Sequence, residues 1–426
     1  MDDIDDMDDM DDMDDMDDMD DDTTTAGLDD AATTVVRISA PADILGVLPY
    51  RIGFHPSESL VVVCLEGPRR RDRLVMRIDL PSAAEQRGVV ADIAERVAHV
   101  GATSSVVVVY TEDADAGRGR TRLAGAGLVQ ALRSAFRRRE IHLHEALLVR
   151  AGRWWSYLCH DPACCPLEGT PLPAEPTPAT VRYAAEAVGQ GERVLADRDE
   201  LRRSVEPSDH AVATAVRRLA GKETTALVDD VLAEGGSPAL RVLTMATMAR
   251  LRTRWARGDR RLEPADAALV LLGLHDKRAR DATMTGVLDD DADTLLDLLG
   301  ALARQAEDAD AAPVCTALGW VAYAHGHGAL AAVAAERALR CAPDYSMAQL
   351  LLDGLDRMLG PEHVRAVSEA VREELDDLAV LDDRDVLGDR DVLDHLAVLD
   401  DREVLRELQA EWEEMDELGG ELGDAC

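Results

Sequence analysis

Lysine is almost missing from this chain. Lys222 and Lys277 are the only two in 426 residues, and arginine supplies the other 44 bases. Phenylalanine occurs twice and aromatics make up 3 % of the residues. The clusters Arg69-Arg70-Arg71-Asp72-Arg73 and Arg137-Arg138-Arg139 therefore have no interleaved aromatics, which weakens any reading as a nucleic-acid surface. No run of about 18 apolar residues is present, so no membrane span is expected. The opening residues are acidic rather than basic and then apolar, so no secretory signal is read. A cytoplasmic protein with reduced thiols, and no disulfide framework, is the expectation. There is no Walker loop, and Gly117-Arg118-Gly119 and Gly125-Ala126-Gly127 lack the dinucleotide spacing after a strand. No cofactor is expected from the motifs.

What is abundant is acid, and it is unevenly placed. Residues 1–22 hold 15 Asp and no base, and residues 361–426 hold 23 acids against 6 Arg. Most of the net charge of −38 thus lies at the two ends, which argues against binding to DNA or anionic lipid. Residues 1–22 repeat Met-Asp-Asp with period 3, which fits neither a helix nor a strand, and the like charges repel. Residues 1–32 read as a disordered acidic arm. The sequence from Leu378 to Arg384 recurs from Leu396 to Arg402, a spacing of five helical turns. Residues 361–426 read as an acidic helical or low-complexity tail.

Between the ends the chain is long enough for sizeable cores. Residues 33–170 alternate strands and helices. Strands are expected at Val35–Ser39, Ser59–Leu65, Arg73–Leu80, Ser104–Tyr110, Ile141–Val149 and Arg153–Leu158, with hairpins joining the second to the third and the fifth to the sixth. The unbroken run Val106–Val109 reads as a buried parallel strand. Helices are expected at Ala40–Val47, Ser82–Val100 and Arg122–Arg139, and Pro49–Pro56 reads as a loop. This order implies an α/β layered domain.

Residues 171–180 carry four prolines and read as a linker, with Thr177 as N-cap and Pro178 at the first helical position. Residues 181–360 read as an α-helical domain, with helices at about 179–188, 208–220, 223–234, 238–257, 264–275, 292–307, 312–324, 328–341 and 346–358. Gly319, Ala331, Ala338 and Pro343 match the small-residue and proline offsets of a tetratricopeptide-like helical hairpin.

The densest chemistry is Trp154–Pro171, with two Trp, three Pro and three of the seven Cys in 18 residues. Cys159, Cys164 and Cys165 admit three readings: a tetrahedral zinc site, a nucleophilic or redox thiol, or small buried hydrophobes. Adjacent cysteines point opposite ways if extended, which is poor for zinc. The third reading is favoured and no metal is assigned. His142 with His144 and His325 with His327 are further candidate donors, but nothing in the sequence brings the two pairs together. The candidate pocket joins two loops: Tyr50, His55 and Ser57 from one, and Cys159, His160, Asp161, Cys164 and Cys165 from the other. His55 would be its acid or base.

The loop Pro49-Tyr50 to Gly53-Phe54-His55-Pro56, with Ser59-Leu60-Val61 after it, resembles the actinobacterial family called domain of unknown function 4192. So do Trp155-Ser156-Tyr157 to Cys159, Asp161-Pro162, Cys164-Cys165-Pro166 and Gly169-Thr170-Pro171, and the helical end from Arg337 to Leu351. The resemblance spans about residues 33–360. It implies an actinobacterial, intracellular protein and no established activity, and both acidic ends depart from it. Two functions stay open. One is a noncatalytic binding or scaffold protein acting on protein partners through the helical domain and tails. The other is an enzyme or small-ligand sensor with a pocket formed by the two loops.

The acidic repeat has no apolar face to offset the entropy of ordering it. A chain starting at Thr23 is expected to melt at the same temperature as the full chain. A drop of several degrees at low salt that shrinks at moderate salt would show an electrostatic clamp instead.

Overall fold

The computed structural model describes residues 40–67, 71–114, 123–189, 193–208, 213–214, 216–218 and 238–386. The Met-Asp-Asp repeat, the strand expected at Val35–Ser39, the helix expected at 223–234 and the second copy of the C-terminal duplication lie outside them.

Helix α1, Pro41–Ile52, starts with Pro41 in its first turn, and the Ala40 N–H donates to Asp43 Oδ2 at 3.0 Å. Leu45, Leu48 and Ile52 recur at helical spacing and are buried. This helix runs further than the sequence reading, past Pro49. Inside a helix a proline loses its own hydrogen bond and crowds the carbonyl four residues back, but the Pro49 carbonyl still accepts from Gly53 N–H at 2.8 Å. Gly53, at φ +88°, then ends the helix in the left-handed region.

Strands β1 (Ser59–Glu66) and β2 (Arg71–Asp79) pair antiparallel from Ser59↔Asp79 to Glu66↔Arg71. After β2 come α2 (Gln86–His99), β3 (Ser104–Tyr110), α3 (Ala126–Arg138) and β4 (His142–Arg150). β4 turns into β5 (Arg153–Ser156) through Ala151 and Gly152, both at positive φ, the twist that suits a two-residue hairpin. Thr170–Pro171 adds β6 against Trp154 and Arg153, so the proline-rich segment begins as an edge strand. The six-stranded sheet has the order β2-β1-β3-β4-β5-β6 and is mixed. β3 runs parallel to β4, as its valine run suggested, but antiparallel to β1.

Both faces of the sheet are apolar. Leu60, Val62, Val107, Val109, Ala146 and Leu148 pack against α2 and α3. Val61, Val63, Val106, Val108 and Leu147 face the other way, into one cluster with α1 and the helical body. That is why β3 is buried at every position: the alternation of a half-exposed strand disappears when both sides are covered.

In the helical body, α4 (Pro178–Gly189) begins as read, with Thr180 N–H donating to Thr177 Oγ1 at 3.2 Å. It packs on α1, where the Tyr50 and Tyr183 rings meet edge-on at 6.2 Å. Then follow α5 (Arg198–Arg203), α6 (Pro238–Ala256), α7 (Pro264–Gly273), α8 (Lys277–Thr285), α9 (Ala292–Ala303), α10 (Asp308–Ala324), α11 (Gly328–Cys341), α12 (Ser346–Asp356) and α13 (Pro361–Val386). The sequence reading missed α5 and α8. α5 is short; α8 carries charged residues early and has an N-cap, Asp276, whose carboxylate accepts from Arg278 and Ala279 N–H. α10 and α11 form a helical hairpin. A Cβ at Gly319 would sit 3.1 Å from the Ala331 carbonyl, so the glycine allows the close approach. α13, which the sequence assigned to the acidic tail, docks on the body: Trp320 Nε1 donates to Ser368 Oγ at 2.9 Å, and Arg372 donates to the Thr285 carbonyl and to Asp289.

Arg337 on α11 is fully buried. Its guanidinium donates to the carbonyls of Ala303 at 2.6 Å and Ala306 at 2.7 Å, and to Val205. Its Nε lies 3.3 Å from the Glu206 carboxylate. One cation thus closes the carbonyl ends of α9 and of the turn after α5, where the helix dipoles favour positive charge. Arg337→Ala would leave the Val205 and Ala306 carbonyls without this donor. It is expected to cost about 3–5 kcal/mol in denaturant unfolding, and a loss under 1 kcal/mol would refute the locking role.

Candidate functional site

The first expected loop is a fixed turn. Phe54 bridges Leu195, with His55 N–H donating to the Leu195 carbonyl at 3.1 Å and Leu195 N–H to Gly53 at 2.9 Å. Phe54 is buried and Arg77 lies over its ring at 5.7 Å. Ser57 contributes its carbonyl, which accepts from Ser59 Oγ at 2.5 Å. His55 is exposed. Tyr50 belongs to the last turn of α1 and is used in packing on α4. A neighbour that sequence reasoning passed over, Glu58, sits at φ +40°. Its carboxylate accepts from Thr111 Oγ1 and Glu112 N–H, both at 2.8 Å, and so closes the end of β3.

The second loop folds back along the sheet edge over Trp155. Trp155 Nε1 donates to the Leu167 carbonyl at 3.0 Å, and Arg153 donates to the carbonyls of Glu168 and Gly169 at 2.8 and 2.9 Å. Gly169, at φ +80°, lies against the indole, and a Cβ there would be 2.4 Å from a ring carbon. At the other end of the loop, buried Ser156 donates to Glu145 at 2.8 Å and accepts from the N–H groups of Leu158 and Cys159. Asp161 makes a turn: its Oδ1 accepts from Ala163 N–H at 2.9 Å and its carbonyl from Cys165 N–H at 2.8 Å.

That turn decides where the sulfurs go. Residues 162–164 are in turn conformation, so the extended geometry that separates adjacent cysteines does not arise. The Sγ atoms of Cys159, Cys164 and Cys165 all lie within 4.8 Å of one another. Cys165 is buried, Cys159 half-buried and Cys164 exposed. The reading of all three as buried hydrophobes thus fits Cys165 alone. Desolvation first, and then its two thiol neighbours, push the Cys165 thiol up to about 12. His160 and Asp161 are both exposed at the loop surface.

The structure does not bring the two loops to one pocket. The turn at His55 enters β1, whereas the cysteine loop leaves β5, with β3 and β4 between them. Three strand spacings amount to about 14 Å. Phe54 packs on the sheet face that carries the helical body and Trp155 on the opposite face. His142 and His144 stand at the start of β4 with ring centres 6.4 Å apart, and His325 and His327 at the α10–α11 turn.

A cleft that the sequence did not reveal lies elsewhere, among α8, α10, α12 and α13. Its volume is about 380 Å³, and Met284, Trp320, Met347, Leu350, Val364 and Val367 line it. Leu350 is 62 % exposed and Val367 48 %. Leu350 and Val367 fall outside the buried stripes of their helices, which shows only once the helices are packed.

A mixed sheet closed on one side by its own crossover helices and on the other by a helical body defines a protein of the α-plus-sheet type, with a three-thiol loop on its edge. The chain belongs to the family described as Domain of unknown function (DUF4192), whose pattern matches residues 41–362. Both signature loops and the α10–α12 region fall inside the match; most of α13 and the acidic ends do not. No curated protein and no solved structure matches the chain.

Gly169→Ala places a methyl group inside the Trp155 ring at a positive φ. The expected loss is about 1–3 kcal/mol, with a change in tryptophan emission as the loop lifts. Unchanged stability and emission would show that the loop is not seated on Trp155.

Proposed function

We propose that this protein is a noncatalytic binding protein that receives a protein partner on its helical body. The observation that carries this is the apolar cleft among α8, α10, α12 and α13, with Leu350 and Val367 left in solvent at its rim. Neighbouring exposed apolar side chains beside a concave surface mark an interaction site. A groove between helices suits the apolar stripe of an incoming amphipathic helix, and Met284 and Met347 supply side chains that adapt to its shape. The floor is fixed: Trp320 is tied to Ser368, and the Tyr323 hydroxyl donates to the Gly354 carbonyl at 3.2 Å.

The small-residue and proline offsets at Gly319, Ala331, Ala338 and Pro343 would suit a tetratricopeptide-type hairpin, and such hairpins build binding surfaces by stacking. The acidic ends would favour a partner with a basic rim. Neither nucleic acid nor membrane is expected as a partner, and the setting proposed is cytoplasmic. The rival reading, an enzyme or ligand sensor built from the Gly53–Pro56 and Cys159–Thr170 loops, finds less support, because the strands that carry them stand apart.

The test uses the full chain as bait in a lysate of its source cells, beside Leu350→Glu and Val367→Glu. Both positions are exposed, so stability should change by less than about 1 kcal/mol. A protein captured by the parent chain and lost from both variants is the expected result. Equal capture by all three overturns the proposal. So does a copurifying small molecule that survives both changes but is lost with His55→Ala or Asp161→Asn.

A further inference from the structure

The cysteine loop is over-built for a connector. Its two ends are fixed to the sheet, by Ser156 on one side and by Arg153 and Trp155 on the other, and its middle is fixed by the Asp161 turn. What this framework holds together is three sulfur atoms. We propose that Cys159, Cys164 and Cys165 form a binding site for one thiophilic divalent cation of the zinc type, held by three thiolates with a fourth position open to solvent.

Geometry supports it first. A tetrahedral zinc with Zn–S bonds of about 2.3 Å has sulfur atoms about 3.8 Å apart. All three Sγ atoms already lie within 4.8 Å of one another. Side-chain rotations close the difference, and the hydrogen-bonded backbone of the turn stays in place.

The pattern of exposure supports it next. Cys165 forms a buried base, while half-buried Cys159 and exposed Cys164 leave a path for the ion and a free coordination position. A site with three protein ligands and one open position is the arrangement of exchangeable or reactive zinc, whereas structural zinc is closed by four. The other described cysteines differ. Cys64 and Cys315 are buried, and burial pushes each thiol up to about 12. Cys341 stands beside Asp308.

Metal binding would also carry an electrostatic consequence. The Cys165 thiol is raised by burial first and then by its two thiol neighbours. A bound dication reverses that balance and removes the thiol protons. Binding therefore releases protons, and affinity must fall as pH falls. A disulfide would use only two of the three sulfurs and leave the third unexplained.

The experiment strips the full chain with chelator under reductant and titrates it with Co²⁺ anaerobically, then with Zn²⁺. The expected result is a thiolate-to-cobalt charge-transfer band that saturates at about one equivalent and is displaced by zinc, with weaker binding at lower pH. Cys164→Ser changes an exposed residue and should keep the fold by circular dichroism. It should weaken binding by more than the roughly 10–100-fold that follows loss of an outer-shell partner. Cys159→Ser combined with Cys164→Ser should abolish the band, and Cys341→Ser should keep it. Absence of the band while the thiols are reduced overturns the assignment, as does a band that persists in the double variant. Isolation of the cluster as a disulfide from reductant-treated protein overturns it in favour of redox chemistry.

Discussion

The structure depends on one constraint: the sheet is apolar on both faces, and its own crossovers can cover only one. The connections β2-α2-β3 and β3-α3-β4 move across the sheet in the same direction. Crossovers between parallel strands are right-handed, so both helices fall on the same face, where they bury Leu60, Val62, Val107 and Val109. The opposite face, with Val61, Val63, Val106 and Val108, has no crossover to cover it. Left in water, those valines would forgo about 1.5–3 kcal/mol each. α1 and the helical body close that face, and the apolar cluster runs without a break from β1 into α10 and α11.

A body joined to a sheet by apolar contact alone could slide, because hydrophobic burial is not directional. Directional fixing comes from polar groups. Arg337 ties α11 to α9 and to the turn after α5. Arg198 on α5 reaches Glu336 on α11 at 2.6 Å. The segment around Leu195 joins the sheet side through its bridge to Phe54. The turn that the sequence singled out at Gly53–Pro56 is thereby a fastening between sheet and helices, which accounts for its fixed geometry.

The two candidate sites lie where this packing leaves surface free. The edge of the sheet beyond β5 is covered by a loop held by hydrogen bonds around Trp155, and the sulfurs gather there. On the outer face of the helical body, α13 forms one wall of the cleft, with Leu350 and Val367 exposed at its rim. Neither place competes with the other, since one lies on the α2–α3 side and the other on the far helices.

Much of the architecture was legible in the sequence. The β-rich runs of β1 and β2, the valine run of β3, the Ala151-Gly152 turn and the Thr177-Pro178 cap are local signals, and each was realised nearly where it was read. So were the starts at Pro238 and Pro264. Local signals failed where a distant partner supplied the missing interaction. Pro49 stays helical because α1 is held between the sheet and α4. Residues 277–285 are helical because Arg241 grips the Asp276 cap at 3.0 Å. The candidate site was legible as a list of residues but not as a place. The sequence by itself determined most of the strands and helices, that the Trp154–Pro171 stretch is dense in sulfur, and that the acidity sits at the ends, because these follow from residue type and short-range spacing. Only the tertiary structure decided that the His55 turn and the cysteine loop lie three strands apart, that three sulfurs converge, and that an apolar cleft opens between α12 and α13. Each of these depends on strand order, on a turn at Asp161 and on helix packing, which bring together atoms whose separation along the chain carries no information about their distance in space.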